Sequence, residues 1–100
     1  MGRKTQRVLY KVSLSRAAIT ELESTLQYII DNFDDPFAAG RVEKQIKKKI
    51  DSLSLMPKRR KIEGDIYAVK TGNFNIFYSI KGSDVLVIHI LHVKRHRPGF

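Results

Sequence analysis

The stretch Val85-Leu86-Val87-Ile88-His89-Ile90-Leu91 constrains this chain more than any other. It is apolar at both odd and even positions, the pattern of a central strand covered on each side. Just before it, Phe74, Ile76, Tyr78 and Ile80 alternate with Asn73, Asn75 and Ser79, and Phe77 alone breaks the alternation. Period two predicts a strand with one buried face. Between the two lies Lys81-Gly82-Ser83-Asp84, a turn sequence, so the pair reads as a hairpin at the centre of a sheet.

The rest of the chain supplies elements to cover that hairpin. Val8, Tyr10, Val12 and Leu14 alternate with Arg7, Lys11 and Ser13, which predicts a first strand from about Arg7 to Leu14, its cations suited to a sheet edge. Ser15 is a good N-cap for a helix whose apolar stripe is Ile19, Leu22, Leu26, Ile29, Ile30 and Phe33. Asp34-Asp35-Pro36 breaks that helix, with Asp35 as the next cap and Pro36 at the first helical position. Ala39, Val42, Ile46, Ile50 and Leu53 mark the buried face of the second helix, and Arg41, Lys44, Lys47 and Lys48 its outer face. So short a connection predicts an antiparallel helical hairpin lying on the sheet. Leu55-Met56-Pro57 ends the helix, Lys58-Arg59-Arg60-Lys61 forms a basic loop, Ile66 to Lys70 a short strand, and Thr71-Gly72-Asn73 the turn into the central hairpin. The order is β-α-α-β-β-β, in a single domain over residues 1–100.

Charge and composition bound the partners. Nineteen Lys and Arg against ten Asp and Glu give a formal charge of +9, which attracts polyanions: nucleic acid, the ribosome or an acidic protein. The chain has no cysteine, so it offers neither a disulfide framework nor a thiolate zinc site, in keeping with a reducing cytoplasm. No run approaches the roughly 18 apolar residues of a membrane span, and the basic N-terminus leads into a strand pattern, so a cytoplasmic protein with no membrane partner is expected.

In order and spacing, these residues resemble the RelE/ParE superfamily of toxins from type II toxin-antitoxin modules. The resemblance rests on the first helix, then Asp35-Pro36-Phe37-Ala38-Ala39-Gly40-Arg41, Ile46, Ile50, Leu53 and Met56-Pro57. It continues through Gly72-Asn73-Phe74-Asn75-Ile76-Phe77-Tyr78 and Val87-Ile88-His89-Ile90-Leu91-His92. It implies a compact α+β toxin of β-α-α-β-β-β order, a twisted antiparallel sheet packed against an N-terminal helical hairpin, held inactive in a hetero-oligomeric complex with a cognate antitoxin. RelE-like members cut mRNA on the ribosome, whereas ParE-like members poison DNA gyrase. The helical hairpin and the stretch ending in Leu91-His92 look more like the ParE branch; the basic loop and tail suit RNA cleavage. One departure stands out: the family often has arginine after the aromatic residue of the third strand, where this chain has Asn75 after Phe74.

Metal-free RNA cleavage needs a base for the ribose 2′-hydroxyl, cations for the phosphorane and an acid for the leaving 5′-oxygen. Lys94, Arg95 and His96 are the candidate catalytic residues; a histidine exchanges protons near neutrality, and a guanidinium clamps phosphate. Lys58, Arg59, Arg60, Lys61 and Arg97 are candidate nucleic-acid contacts, and Phe100 a base-stacking residue. Solvated charge is the competing reading for both basic stretches. His89 is expected to be a core or sheet-face histidine with a satisfied hydrogen bond, His92 to face the other way, and Glu21, like the other carboxylates, to be surface solvation. No metal, no cofactor and no nucleotide-dependent chemistry is expected, because neither a ligand cluster nor a Gly-rich phosphate motif is present. The two leading functions are a ribosome-dependent mRNA endoribonuclease and a gyrase inhibitor; a non-catalytic RNA-binding module is a third.

Overall fold

The computed structural model describes residues 9–33 and 35–93. Its elements are β1 (Lys11–Leu14), α1 (Arg16–Phe33), α2 (Pro36–Ser52), β2 (Arg60–Glu63), β3 (Ile66–Thr71), β4 (Phe74–Lys81) and β5 (Asp84–His92). The strands form one sheet in the order β1-β5-β4-β3-β2. The α+β class and the helical hairpin are as the sequence implies. One strand is new: half of the basic run expected to be loop lies in β2, an exposed edge strand paired antiparallel to β3. Its Arg-Lys-Ile-Glu sequence carries no alternation to reveal it.

All neighbouring strands run antiparallel except β1 and β5, which pair in parallel from Lys11↔Asp84 to Leu14↔Val87. The expected edge position of β1 holds, and so does the central place of β5. Two-residue turns at Gly72-Asn73 and Gly82-Ser83 join β3 to β4 and β4 to β5. At both turns the glycine has positive φ (58° and 61°), a conformation that other residues adopt only with strain.

Capping fixes where the helices begin. Ser15 Oγ accepts the Ala18 N–H at 3.0 Å, and the Asp35 carboxylate accepts from the Phe37 and Ala38 N–H groups. Helix α2 buries Ala39, Ile46 and Ile50 and ends at the buried Leu53, with Val42 half-buried at the margin, as the spacing predicts. Helix α1 departs from its predicted stripe. It buries Ala18, Leu22, Thr25 and Ile29, while Ile19, Ile30 and Phe33 are 44%, 38% and 64% exposed. The small Ala18 and Thr25 are buried where the larger Ile19 and Ile30 were expected to be.

The core gathers Leu22, Ile46, Ile50 and Leu53 of the helices against Phe74, Ile76, Tyr78, Val85, Val87 and Ile90. All of these strand residues lie on one face. The expectation that β5 is covered on both sides is therefore corrected: both helices pack on the same face, and on the other Leu86 is 40% exposed. Among the described residues, no helix is long and apolar enough to cross a membrane.

Candidate nucleic-acid interface

The helix-free face of the sheet follows from the pairing register, because residues directly opposite each other share a face. One row runs Arg60 (β2), Ala68 (β3), Phe77 (β4), His89 (β5). The adjoining row runs Lys70 (β3), Asn75 (β4), Leu91 (β5). A shallow depression of about 540 Å³ sits at the β2–β3 end, lined by Arg59, Arg60, Ala68, Val69, Lys70 and Asn75. Cations therefore meet an amide and a half-buried aromatic ring on an open, gently apolar surface.

The basic run expected to act as one patch is divided by the fold. Arg60 shares the open face, whereas Lys61 pairs with Tyr67, which stacks on the buried Tyr78 on the helix side. Lys58 is exposed ahead of the strand. Arg59 is half-buried and committed to structure: it donates Nε–H to the Met56 carbonyl and a guanidinium N–H to Ser52 Oγ (2.9 Å), tying β2 to the end of α2. Of the four, Arg60 is the cation best placed on the open face. Lys94, Arg95, His96, Arg97 and Phe100 lie outside the described residues.

Lys70, which the sequence reading passed over, changes the meaning of Asn75. The two are directly opposite across β3 and β4. A lysine on the neighbouring strand thus stands directly across from Asn75. The Gly72-Asn73 turn was the available signal, since a two-residue turn closing on Thr71 and Phe74 sets Lys70 against Asn75.

His89 and Glu21 also take a more defined place than surface solvation. His89 Nδ1 is 2.9 Å from Glu21 Oε2, and Glu21 Oε1 accepts the Ile90 backbone N–H at 2.9 Å. Glu21 thereby completes the edge of β5 beyond the end of β1, where Ser15 already donates its N–H to the Val87 carbonyl and its hydroxyl to the Ile88 carbonyl. The expectation of a satisfied sheet-face histidine holds, with side chains 46% (His89) and 26% (Glu21) exposed. His92 lies on the opposite face, its ring edge-on to Phe74 at 4.9 Å. No group of three or more metal-ligating side chains occurs among the described residues.

A two-helix hairpin on one face of a five-stranded sheet is a fold shared with solved toxin-antitoxin systems. The ParDE system of P. aeruginosa superposes with a TM-score of 0.73 at 13% identity, over 85% of this chain and 97% of that one. The RelBE2 toxin-antitoxin complex of Mycobacterium tuberculosis gives 0.61 at 17% identity, over 89% and 97%. At such identities the likeness concerns the fold. No curated protein sequence matches the chain. The family model described as the ParE toxin of the type II toxin-antitoxin system parDE matches residues 12–97, and the chain belongs to that family. It is a type II toxin of the RelE/ParE superfamily.

Proposed function

We propose that this toxin arrests growth by cutting mRNA on the ribosome, using the helix-free face of its sheet, and that a cognate antitoxin holds it inactive. The observation that carries this reading is the placement of Lys70 opposite Asn75, on the same sheet face as Phe77 and His89. A phosphate clamp, a stacking surface and a proton-exchanging ring then share one face, which are the parts that metal-free phosphodiester cleavage requires. Arg60 extends the cationic track at the far end. Lys94, Arg95 and His96 keep their proposed catalytic roles, and Arg97 and Phe100 their proposed nucleic-acid contacts, on side-chain chemistry alone. The antitoxin in this reading is an acidic amphipathic segment whose carboxylates cover Arg60 and Lys70. A cytoplasmic site of action goes with it.

A second reading has its own support. The match to the ParE family favours stoichiometric inhibition of DNA gyrase, the mode of the ParE branch, with the basic face as a docking surface. Induction of the toxin in cells separates the two when transcript 5′ ends and plasmid supercoiling are measured on the same samples. New 5′ ends inside reading frames, lost when translation is blocked, are the expected result. Intact transcripts with relaxed plasmid and accumulated cleaved DNA would move the assignment to gyrase.

A further inference from the structure

We propose that residues 94–100 fold back onto the molecule that carries them and seat the Phe100 ring in an apolar pocket at the tip of the helical hairpin; this depends on neither reading of the target.

The pocket lies where the two helices meet the end of the sheet. Tyr28 and Phe33 of α1 bring their rings edge to face, with centroids 6.5 Å apart. Phe74, which opens β4, stands edge-on to His92 of β5. Ala38 and Val42, in the first two turns of α2, have small side chains, and a space of about 370 Å³ is left among these residues. Aromatic rings pair best edge to face or offset, so a lining of two such pairs suits a further ring.

The chain itself delivers that ring. His92 lines the pocket, and the Val93 N–H donates to the carbonyl of Asn73, another lining residue, at 2.7 Å. Residues 94–100 therefore begin at the rim. Fully extended they span no more than about 24 Å, so their one large apolar side chain, Phe100, stays within reach of the pocket. Arg97-Pro98-Gly99-Phe100 has proline and glycine at the central positions of a type II turn, which reverses the chain just ahead of the ring. So short a tether gives the ring an effective concentration in the millimolar range, which a free occupant has to match.

Charge points the same way. The segment carries Lys94, Arg95 and Arg97, and the hairpin tip carries acid. Asp31 is exposed near the end of α1, and the half-exposed Asp35 carboxylate accepts the N–H of Ala38, a pocket residue, with Arg41 3.8 Å away on its other oxygen. The last turn of α1 has no basic residue of its own, so the partial negative charge of its carbonyl end is open to a cation from the tail. A second copy of the chain would have to bring another +9 to the same place, a cost that a tethered tail does not meet.

Seated, the tail is a latch. It keeps Lys94, Arg95 and His96 on the helix side of the sheet, so any action of theirs on the face of Arg60 and Lys70 waits on the release of Phe100.

The chain contains no tryptophan, so Phe100→Trp places a single fluorophore at the proposed anchor. In the folded full-length toxin its emission should lie to the blue of that in the urea-unfolded protein, and acrylamide should quench it several-fold less. Ala38→Phe in the same chain fills the pocket and should return both readings to those of an exposed indole, with the circular dichroism of the fold retained. Should that variant fail to fold, Phe33→Ala, at a largely exposed wall of the pocket, takes its place. Emission and quenching of an exposed indole in the Phe100→Trp toxin overturn the inference, as does a blue shift that survives the pocket variants. A blue shift that fades on dilution assigns the pocket to a second copy and overturns it as well.

Discussion

Tyr78 joins the sheet to the connection between α2 and β2. Its side chain is fully buried, its hydroxyl donates to the Pro57 carbonyl at 2.6 Å, and its ring stacks on Tyr67 with centroids 5.9 Å apart. Burial raises its pKa above the ordinary 10.0, with Arg59 opposing the shift. A phenol whose folded pKa is raised contributes stability that is complete below its unfolded value and lost as pH climbs through the folded one. Tyr78→Phe should therefore cost about 1–3 kcal/mol at neutral pH, since the Pro57 carbonyl loses its donor. The same variant should flatten the fall in stability above pH 10.0, a pair of effects that denaturant titrations at both pH values will check. Alternation in the sequence was enough to send Tyr78 inward. Its partner, 21 positions earlier, was not legible, and neither was the Glu21–His89 pair across 68 positions, because both depend on how separate elements land.

Among the elements, those that cap and pattern themselves were legible. Ser15 and Asp35 each carry an N-cap visible in one residue, and α2 keeps its apolar period through Leu53. The failures are physical. In α1 the buried stripe uses Ala18 and Thr25, residues too small or polar to register as core, and β2 shows no pattern because every one of its side chains is exposed. In β5 a bulge at Ile88 breaks the alternation that the sequence alone suggests is continuous. Two isoleucines that look equally buried on paper, Ile46 of α2 and Ile88 of β5, differ in burial. Ile46→Ala, at a fully buried site, should lower stability by roughly 2–5 kcal/mol. Ile88→Ala, at the half-buried bulge position, should lose less, and equal losses in thermal or urea unfolding would contradict the burial assigned to the bulge.

Taken as a whole, the molecule keeps a formal +9 charge, and the helix-free face carries Arg60 and Lys70 while the outer side of α2 carries Arg41, Lys44, Lys47 and Lys48. Long-range attraction should speed its encounter with an acidic antitoxin at low salt, because screening sets in over about 10 Å at 0.1 M. Stopped-flow association across a tenfold range of salt should show a falling k_on with little change in the number of molecules bound; a flat k_on would refute charge-guided docking. Composition made that much readable, whereas the division of the basic run between two faces needed the register. The strand order has a further consequence. The interior strand β5 is late in the chain, and among the described residues it is the one strand that pairs with β1. During synthesis the helical hairpin and the first strand wait for β5 to leave the ribosome before any of them can close a core. A chain built this way closes its core in one late step, when its last strand becomes available to the elements made before it.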